Sequence, residues 1–286
     1  MKKIKFTKMH WIGNDFIVIN SSELKEKNIE LTSDLVQKMC DRNFGIWSDW
    51  IVIITDWEQT EFKYHMYNPD GSEAEMCGNW IRCYMKYLID EKLTASKNVD
   101  VETGAGILNL DIDDENIVTV DMWSPKSIHP KNSPHLASPL EGRDSTIISE
   151  NREFEYFSVS MWNPHCVIFL EENVWDFDLN KFGSPIESNI EIFPNKVNVE
   201  FVRKISDIEL DFRVYERWAW ETLACWTGAC ASVVAWISKW LLKKDIFIKV
   251  NLQGGNLFIK WSGKEIDSVI MKWEAETVFE GEYIIK

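Results

Sequence analysis

Two cysteines 148 residues apart, Cys77 and Cys225, stand at equivalent points of what reads as one repeated turn. The segment Tyr67–Trp80 aligns without a gap on Tyr215–Gly228. Each places Tyr ten residues before the Cys, Glu four before it, and an apolar run after it. A cysteine that follows a strand and turn and opens a helix lies against unpaired N–H groups and the positive end of the helix dipole. That setting can lower a thiol pKa from about 8.5 toward neutral and make thiolate available. It also suits a substrate carboxylate. Two such thiols, one from each half of a duplicated chain, could take a proton from one face of a carbon acid and return one to the other face. This is the chemistry of a racemase or epimerase that needs no cofactor.

Other side chains fall near the same turns. His165, two residues after Asn163 in a repeat-related turn, is a candidate for tuning a thiol pKa, although a lone histidine is more often structural. Glu216 and Arg217 precede the second Cys turn and suit an ammonium and a carboxylate, while a surface ion pair would explain them equally well. Cys40 and Cys166 read as small buried hydrophobes, and Cys83 and Cys230 fall inside helices where core packing explains them. No Cys-x-x-Cys occurs and the remaining spacings do not match the common zinc arrangements, so no metal is expected.

The elements that must position these groups alternate between strands and single helices. Ile4–Met9 and Phe16–Ile19 read as strands around a Gly13-Asn14-Asp15 turn, and Leu31–Arg42 as a helix capped by Thr32 or Ser33. Strands at Ile51–Ile54 and Phe62–Tyr67 lead to the first Cys turn, and a helix over Ile81–Ile89 follows it. Strands return at Val99–Glu102, Gly106–Leu110 and Ile117–Val120. After a Pro-rich stretch at 124–144 a second cycle begins. Its strands are Phe157–Met161, Cys166–Leu170 and Phe212–Tyr215, its helix is Ala229–Leu242, and its closing strands are Phe247–Val250, Leu257–Lys260 and Val269–Lys272. Gly13–Ile19 also lines up with Trp162–Ile168, at an offset of 149. The predicted architecture is α+β. Two pseudo-symmetric domains from an internal duplication each hold a mostly antiparallel curved sheet around a central helix, with the active site in the cleft between them.

The 286 residues carry a net charge of −15, which argues against nucleic acid or an anionic membrane as the main partner. The basic first residues lack the uninterrupted apolar run of a signal peptide, and no window is long and apolar enough for a spanning helix. A cytoplasmic location is expected, and with it free thiols rather than a disulfide framework.

Several motifs taken together resemble one family. Met9-His10-Trp11-Ile12-Gly13-Asn14-Asp15-Phe16, Asn68-Pro69-Asp70-Gly71-Ser72-Glu73, Met76-Cys77-Gly78-Asn79, Asn163-Pro164-His165-Cys166 and Tyr215-Glu216-Arg217 with Cys225 are similar, in order, to diaminopimelate epimerase. The resemblance implies interconversion of LL- and meso-diaminopimelate without cofactor, serving lysine and peptidoglycan synthesis, and a homodimer. By that resemblance Cys77 and Cys225 are the catalytic thiols, with Cys77 the donor and Cys225 the acceptor for the LL substrate and the reverse for meso. His165 and Glu216 tune their pKa values. Asn14, Asn68, Gly78, Asn79, Asn163, Asn198, Glu216, Arg217, Trp226 and Thr227 are the implied substrate contacts. The implied domains are 1–121 plus 275–286 and 122–274, the last strand near Tyr283 returning to complete the first. A racemase of another amino acid such as proline is the nearest rival. A catalytically dead small-molecule binder is a rival of a different class. A thiol redox protein is weakened by the absence of a close dithiol.

The departures from the family run in one direction. Trp stands where the family has Gly at Trp11, Trp47, Trp80, Trp123, Trp162, Trp218, Trp220, Trp226, Trp240 and Trp273, and commonly at Trp50. Three of these are visible from the repeat alone: Gly78 aligns with Trp226, Gly228 with Trp80, and Gly13 with Trp162. Trp outnumbers Gly, 15 to 13, which leaves Gly below its usual share of roughly 7%. A UGA codon read as glycine in the source cell but written as tryptophan would produce this pattern. The alternative is a relative that truly carries the indoles; in it they would crowd the turn beside Cys225 and suppress activity. Trp261, within Ile259-Lys260-Trp261-Ser262-Gly263, reads as a real strand aromatic.

Overall fold

The computed structural model describes the chain apart from residues 12, 57–61, 75–79, 104–105, 128–144, 275 and 286. It divides into two compact units, Met1–Val120 with Trp273–Lys286, and Asp121–Lys272.

The first unit opens with β1 (Lys3–Trp11) and β2 (Asn14–Asn20), an antiparallel hairpin whose turn holds Gly13 at φ +88°. Short helices α1 (Ser21–Glu26) and α2 (Ser33–Cys40) follow. Thr32 caps α2 as its position predicts, its hydroxyl accepting the Leu35 N–H at 3.3 Å. β3 (Trp50–Asp56) runs parallel to β2, and β4 (Phe62–Tyr67) returns antiparallel to β3 and pairs with the short β5 (Glu73–Ala74). α3 (Trp80–Asp90) comes next, then β6 (Asn98–Thr103), parallel to β4, with β7 (Gly106–Ile112) and β8 (Ile117–Asp121) completing a meander.

The second unit repeats this order. After β9 (Lys126–Ser127) and β10 (Ser145–Ser149), β11 (Arg152–Ser160) and β12 (Pro164–Leu170) form the hairpin. α4 (Leu179–Glu187) leads to β13 (Asn198–Ser206), parallel to β12. β14 (Glu209–Glu216) returns antiparallel and pairs with β15 (Trp220–Thr222). α5 (Trp226–Ser238) precedes β16 (Ile248–Leu252), which is parallel to β14; β17 (Gly255–Lys260) and β18 (Ile270–Glu274) follow. Step for step, β11 to β18 with α5 retrace β1 to β8 with α3, including both parallel pairings. The duplication legible in the Cys turns therefore extends through the topology. β19 (Glu276–Ile284) then pairs antiparallel with β1, from Lys3 opposite Ile284 to His10 opposite Glu276, as β10 pairs with β11.

Each helix is the hub of its unit. α3 packs against β1, β7 and β19, and α5 against β11, β12, β13 and β17. Every residue of α5 from Thr227 to Ile237 is buried, which its apolar and small composition on all faces requires. Among the described residues no helix is long and apolar enough to cross a membrane.

One expectation needs correction. α5 ends at Ser238, four residues short of Leu242, because the chain turns out of the helix at Trp240. The Trp240 N–H donates to Ile237 O at 2.9 Å and the Leu241 N–H to Trp236 O at 3.0 Å. This paired closure needs a left-handed residue at Trp240, where glycine is the usual occupant. In addition, α4 and β13 are not marked by the simple period that marks the other elements; Pro185 lies inside α4, and β13 carries Asn198 and Glu200 among its apolar residues.

Trp240 is one of six tryptophans in the left-handed region, the others being Trp47, Trp123, Trp162, Trp218 and Trp220, at φ between +56° and +72°. All six belong to the positions where the resemblance to the family calls for glycine. Trp162 sits in the β11–β12 turn at φ +72°, matching its repeat partner Gly13 at φ +88°. Trp261 behaves differently: it is buried and donates its indole N–H to Asp267 O at 3.1 Å.

Candidate active site

Cys225 occupies the N-cap of α5 in extended conformation, and its thiol, not a hydroxyl or carboxylate, lies at the helix start. The sulfur is 3.5 Å from Thr227 Oγ1 and only 4% of the residue is exposed. Burial pushes the thiol pKa well up, the Glu216 and Glu200 carboxylates push the same way, and the Thr227 hydroxyl and Gly228 N–H pull it down without prevailing. The lowering expected from the helix dipole is thus outweighed by desolvation. Cys225 is a neutral thiol here, the form that donates a proton. Cys40, Cys83, Cys166 and Cys230 are buried and in no disulfide, as their settings predict.

A chain of polar contacts surrounds this thiol. Glu216 ends β14, accepts a short hydrogen bond from the Thr222 hydroxyl, and has its pKa raised by burial. The next residue, Arg217, gives its backbone N–H to Asn198 Oδ1 at 2.8 Å and its guanidinium to Asn195 O at 3.1 Å. Asn198 is buried and donates to Pro164 O at 3.2 Å, tying β13 to the turn that carries Asn163. The parallel register sets His165 beside Asn198. His165 is fully buried, with Nε2 2.8 Å from Asn163 Oδ1 and Nδ1 2.6 Å from Glu200 Oε1. Burial lowers its pKa to about 3. The second unit therefore brings Asn163, His165, Asn198, Glu216, Arg217, Cys225, Trp226 and Thr227 onto the ends of β12 to β14 and the first turn of α5. Trp226 is the first residue of that turn and is half-buried. Trp218 and Trp220 are 72% and 71% exposed, so neither indole is packed into the second unit around Cys225.

Glu200 is the polar residue that sequence reasoning missed. Its signal was a carboxylate inside the apolar run Val199-Glu200-Phe201-Val202, two residues from Asn198 and so on the same strand face. A Cβ added to Gly228 would lie 2.8 Å from Glu200 Oε1, so any larger residue at the third position of α5 requires this carboxyl to shift from its place beneath the helix start.

In the first unit, Asn14 begins β2 opposite Trp11. Asn68 leads a tight turn in which its N–H donates to Ser72 O at 2.8 Å and its amide to Ser72 Oγ at 3.0 Å. Its side-chain carbonyl accepts the Trp50 indole N–H at 3.1 Å, so Trp50 engages a candidate substrate group. Cys77, Gly78 and Asn79 lie outside the described residues.

The duplicated two-unit fold is shared with solved proteins of low sequence identity. A phenazine biosynthesis protein of the PhzF family from Bacillus anthracis superposes with a TM-score of 0.71, covering all of both chains at 14% identity. A hydroxyproline epimerase from Agrobacterium vitis does so with a TM-score of 0.61, covering 98% of this chain and 92% of the other at 11% identity. At such identities the likeness concerns the fold alone. Sequence is more specific: the family model for diaminopimelate epimerase matches residues 6–128 and 157–278. The diaminopimelate epimerase of Carboxydothermus hydrogenoformans is 42% identical over 284 residues, 99% of this chain and all of the relative. That of Methanococcus maripaludis strain C5 is 42% identical over 283 residues, 98% of this chain and 99% of the relative. The chain belongs to the diaminopimelate epimerase family.

Proposed function

We propose that this chain interconverts LL- and meso-diaminopimelate, using Cys77 and Cys225 as the two proton-transfer groups and no cofactor. The observation that carries the reading is identity of about two residues in five along essentially the whole length of diaminopimelate epimerases. The geometry of the second unit fits it. A protonated Cys225 at the start of α5 can deliver its proton to a substrate carbanion, and the helix N-terminus then faces the thiolate left behind. Arg217 suits a carboxylate and Glu216 an ammonium, as an amino-acid head group requires. Asn163 and Asn198 each offer a donor and an acceptor. The raised pKa of Cys225 in the free protein suits the donor role that the resemblance gives it for the meso substrate, and substrate charge nearby is what would make it the acceptor for the LL substrate. We place the enzyme in the cytoplasm and expect it to work as a homodimer.

Incubation of LL-diaminopimelate with the protein in deuterated water tests this reading. Meso product carrying deuterium at the inverted carbon supports it. Absence of Cα exchange, with diaminopimelate bound, would show a binder instead; exchange into proline and not diaminopimelate would show the other racemase.

A further inference from the structure

We propose that Glu200 is a positioning residue whose carboxyl, kept protonated, donates to His165 Nδ1 and so fixes the imidazole as the Nε2–H tautomer that holds Asn163. The proposal rests on the epimerase reading for its kinetic arm only. His165 has a partner on each ring nitrogen, at 2.6 Å and 2.8 Å, and no exposure to water. A neutral imidazole carries one proton, so one nitrogen donates and the other accepts. With Asn163 Oδ1 accepting from Nε2–H, Nδ1 must accept, and only a protonated Glu200 can supply that hydrogen. The alternative, a carboxylate facing an imidazolium, would leave a charge on Glu200 Oε2, which is buried and without a hydrogen-bond partner among the described residues.

The surrounding groups favour the neutral pair. Glu216 on β14 adds a second carboxylate, and Cys225 on α5 and Cys166 on β12 add thiols but no cation. The backbone N–H groups of Glu200 and Cys166 pull the carboxyl toward ionisation, and burial outweighs them. At His165 the Glu216 carboxylate favours protonation and Arg217 opposes it, and burial outweighs both to keep the ring neutral. A neutral Glu200 also spares Cys225 a second negative neighbour. The consequence for chemistry is orientation: once Asn163 Oδ1 is committed to His165, its Nδ2 amide is free to donate to the substrate.

Nitrogen-15 NMR of the full chain with labelled histidine, with His165 assigned by its loss in H165Q, tests the proton position directly. The expected result is a neutral Nε2–H signal for His165 that does not change between about pH 5 and about pH 8. E200Q, whose amide can donate to Nδ1, keeps that signal and its parent's pH–rate profile. E200L loses the signal, and its kcat/KM falls about tenfold or more, the scale of one buried hydrogen bond left unmade. An imidazolium or an Nδ1–H tautomer in the parent overturns the proposal, as does E200Q behaving like E200L. A parent with the expected tautomer and no Cα exchange would instead overturn the epimerase reading and leave this proposal standing.

A separate observation carries a second inference: the six left-handed tryptophans are glycines in the protein its cell makes. Left-handed conformation is open to glycine without cost and strained for a residue with Cβ. Trp162 faces a real glycine, Gly13, across the internal repeat, and both sit left-handed in equivalent turns; Trp240 sits where a helix-closing motif takes glycine. Trp261, with its buried and hydrogen-bonded indole, is the internal control. Peptide masses from protein isolated from the source cells decide the matter. Glycine at positions 47, 123, 162, 218, 220 and 240 with tryptophan at 261 is expected, matched by UGA codons at the six and UGG at 261. Tryptophan masses at the six positions overturn it.

Discussion

Replacing Trp240 by glycine should stabilise the chain as written, by an amount that the structure lets us work out. At φ +61° the tryptophan carries left-handed strain of about 1–2 kcal/mol. Its ring is 79% exposed, so little apolar burial offsets that cost. The ring does lie under the Lys244 ammonium, 3.6 Å from its centroid, a contact worth about 0.5–1 kcal/mol at an exposed site. W240G relieves the strain and loses the contact, a net gain of roughly 1 kcal/mol. W240A loses the contact while keeping its Cβ in the left-handed region, and should fall about 0.5–1 kcal/mol below the parent. W261G makes the same chemical change at a buried, hydrogen-bonded indole and should cost about 3–5 kcal/mol. Urea unfolding followed by far-ultraviolet circular dichroism reads all three as midpoints. W240A matching or exceeding W240G would refute the strain argument. Over all six positions the strain sums to roughly 6–12 kcal/mol. Cation–π contacts at Trp47, Trp162, Trp218 and Trp240 return about 2–4 kcal/mol. The remainder is comparable to the whole stability of an ordinary domain, about 5–15 kcal/mol.

The neutral Glu200–His165 pair has a pH signature. Glu200 is raised above its ordinary 4.5, so its share of stability is present below that pH and is lost as pH rises toward its folded value; His165 is lowered from 6.5, so its share is lost as pH falls. E200Q should therefore gain on the parent above about pH 4.5 by up to about 1.4 kcal/mol per pH unit, and a constant difference in urea midpoints across pH 5 to 8 would refute this. Cys225→Ala should cut epimerisation at least about a hundredfold, the lower range of general acid–base contributions, and a smaller loss of labelled product would tell against the thiol's role. G228A pushes a methyl to 2.8 Å from Glu200 Oε1 and should destabilise by about 1–3 kcal/mol, with retention of parental stability showing that the carboxyl has room to move. Asn198→Ala removes the acceptor of the Arg217 N–H and the donor to Pro164 O, and should raise KM while costing about 1–3 kcal/mol; an unchanged KM would separate this residue from substrate binding.

How far the sequence could be read depended on which property was local. Strand alternation and the Thr32 cap are local, and the elements they mark stand where expected. The repeat around Cys77 and Cys225 was legible because duplication preserves spacing, and it foretold a topology repeated strand for strand. The protonation state of Cys225 was not legible. The helix N-terminus is a local feature that lowers a thiol pKa, but the burial that chiefly raises it comes from packing of the whole unit, and the Glu200 carboxylate reaches it from β13. Glu200 escaped for the same reason: its partner His165 lies 35 residues away, brought close by a parallel strand pairing. The early end of α5 was hidden because tryptophan at position 240 gives no stop signal, whereas glycine there would have given a clear one.

The pairing of β19 with β1 also orders events during synthesis. The first unit is made first, yet its edge strand β1 stays without this partner until residues 276–284 emerge. The intervening Asp121–Lys272 segment is contiguous, and at about 5–20 residues per second its translation takes roughly ten to thirty seconds. For that interval the ribosome carries an open edge able to pair with another chain. The unit begun first is thus the one finished last, and the second can complete its own core while the first waits for its closing strand.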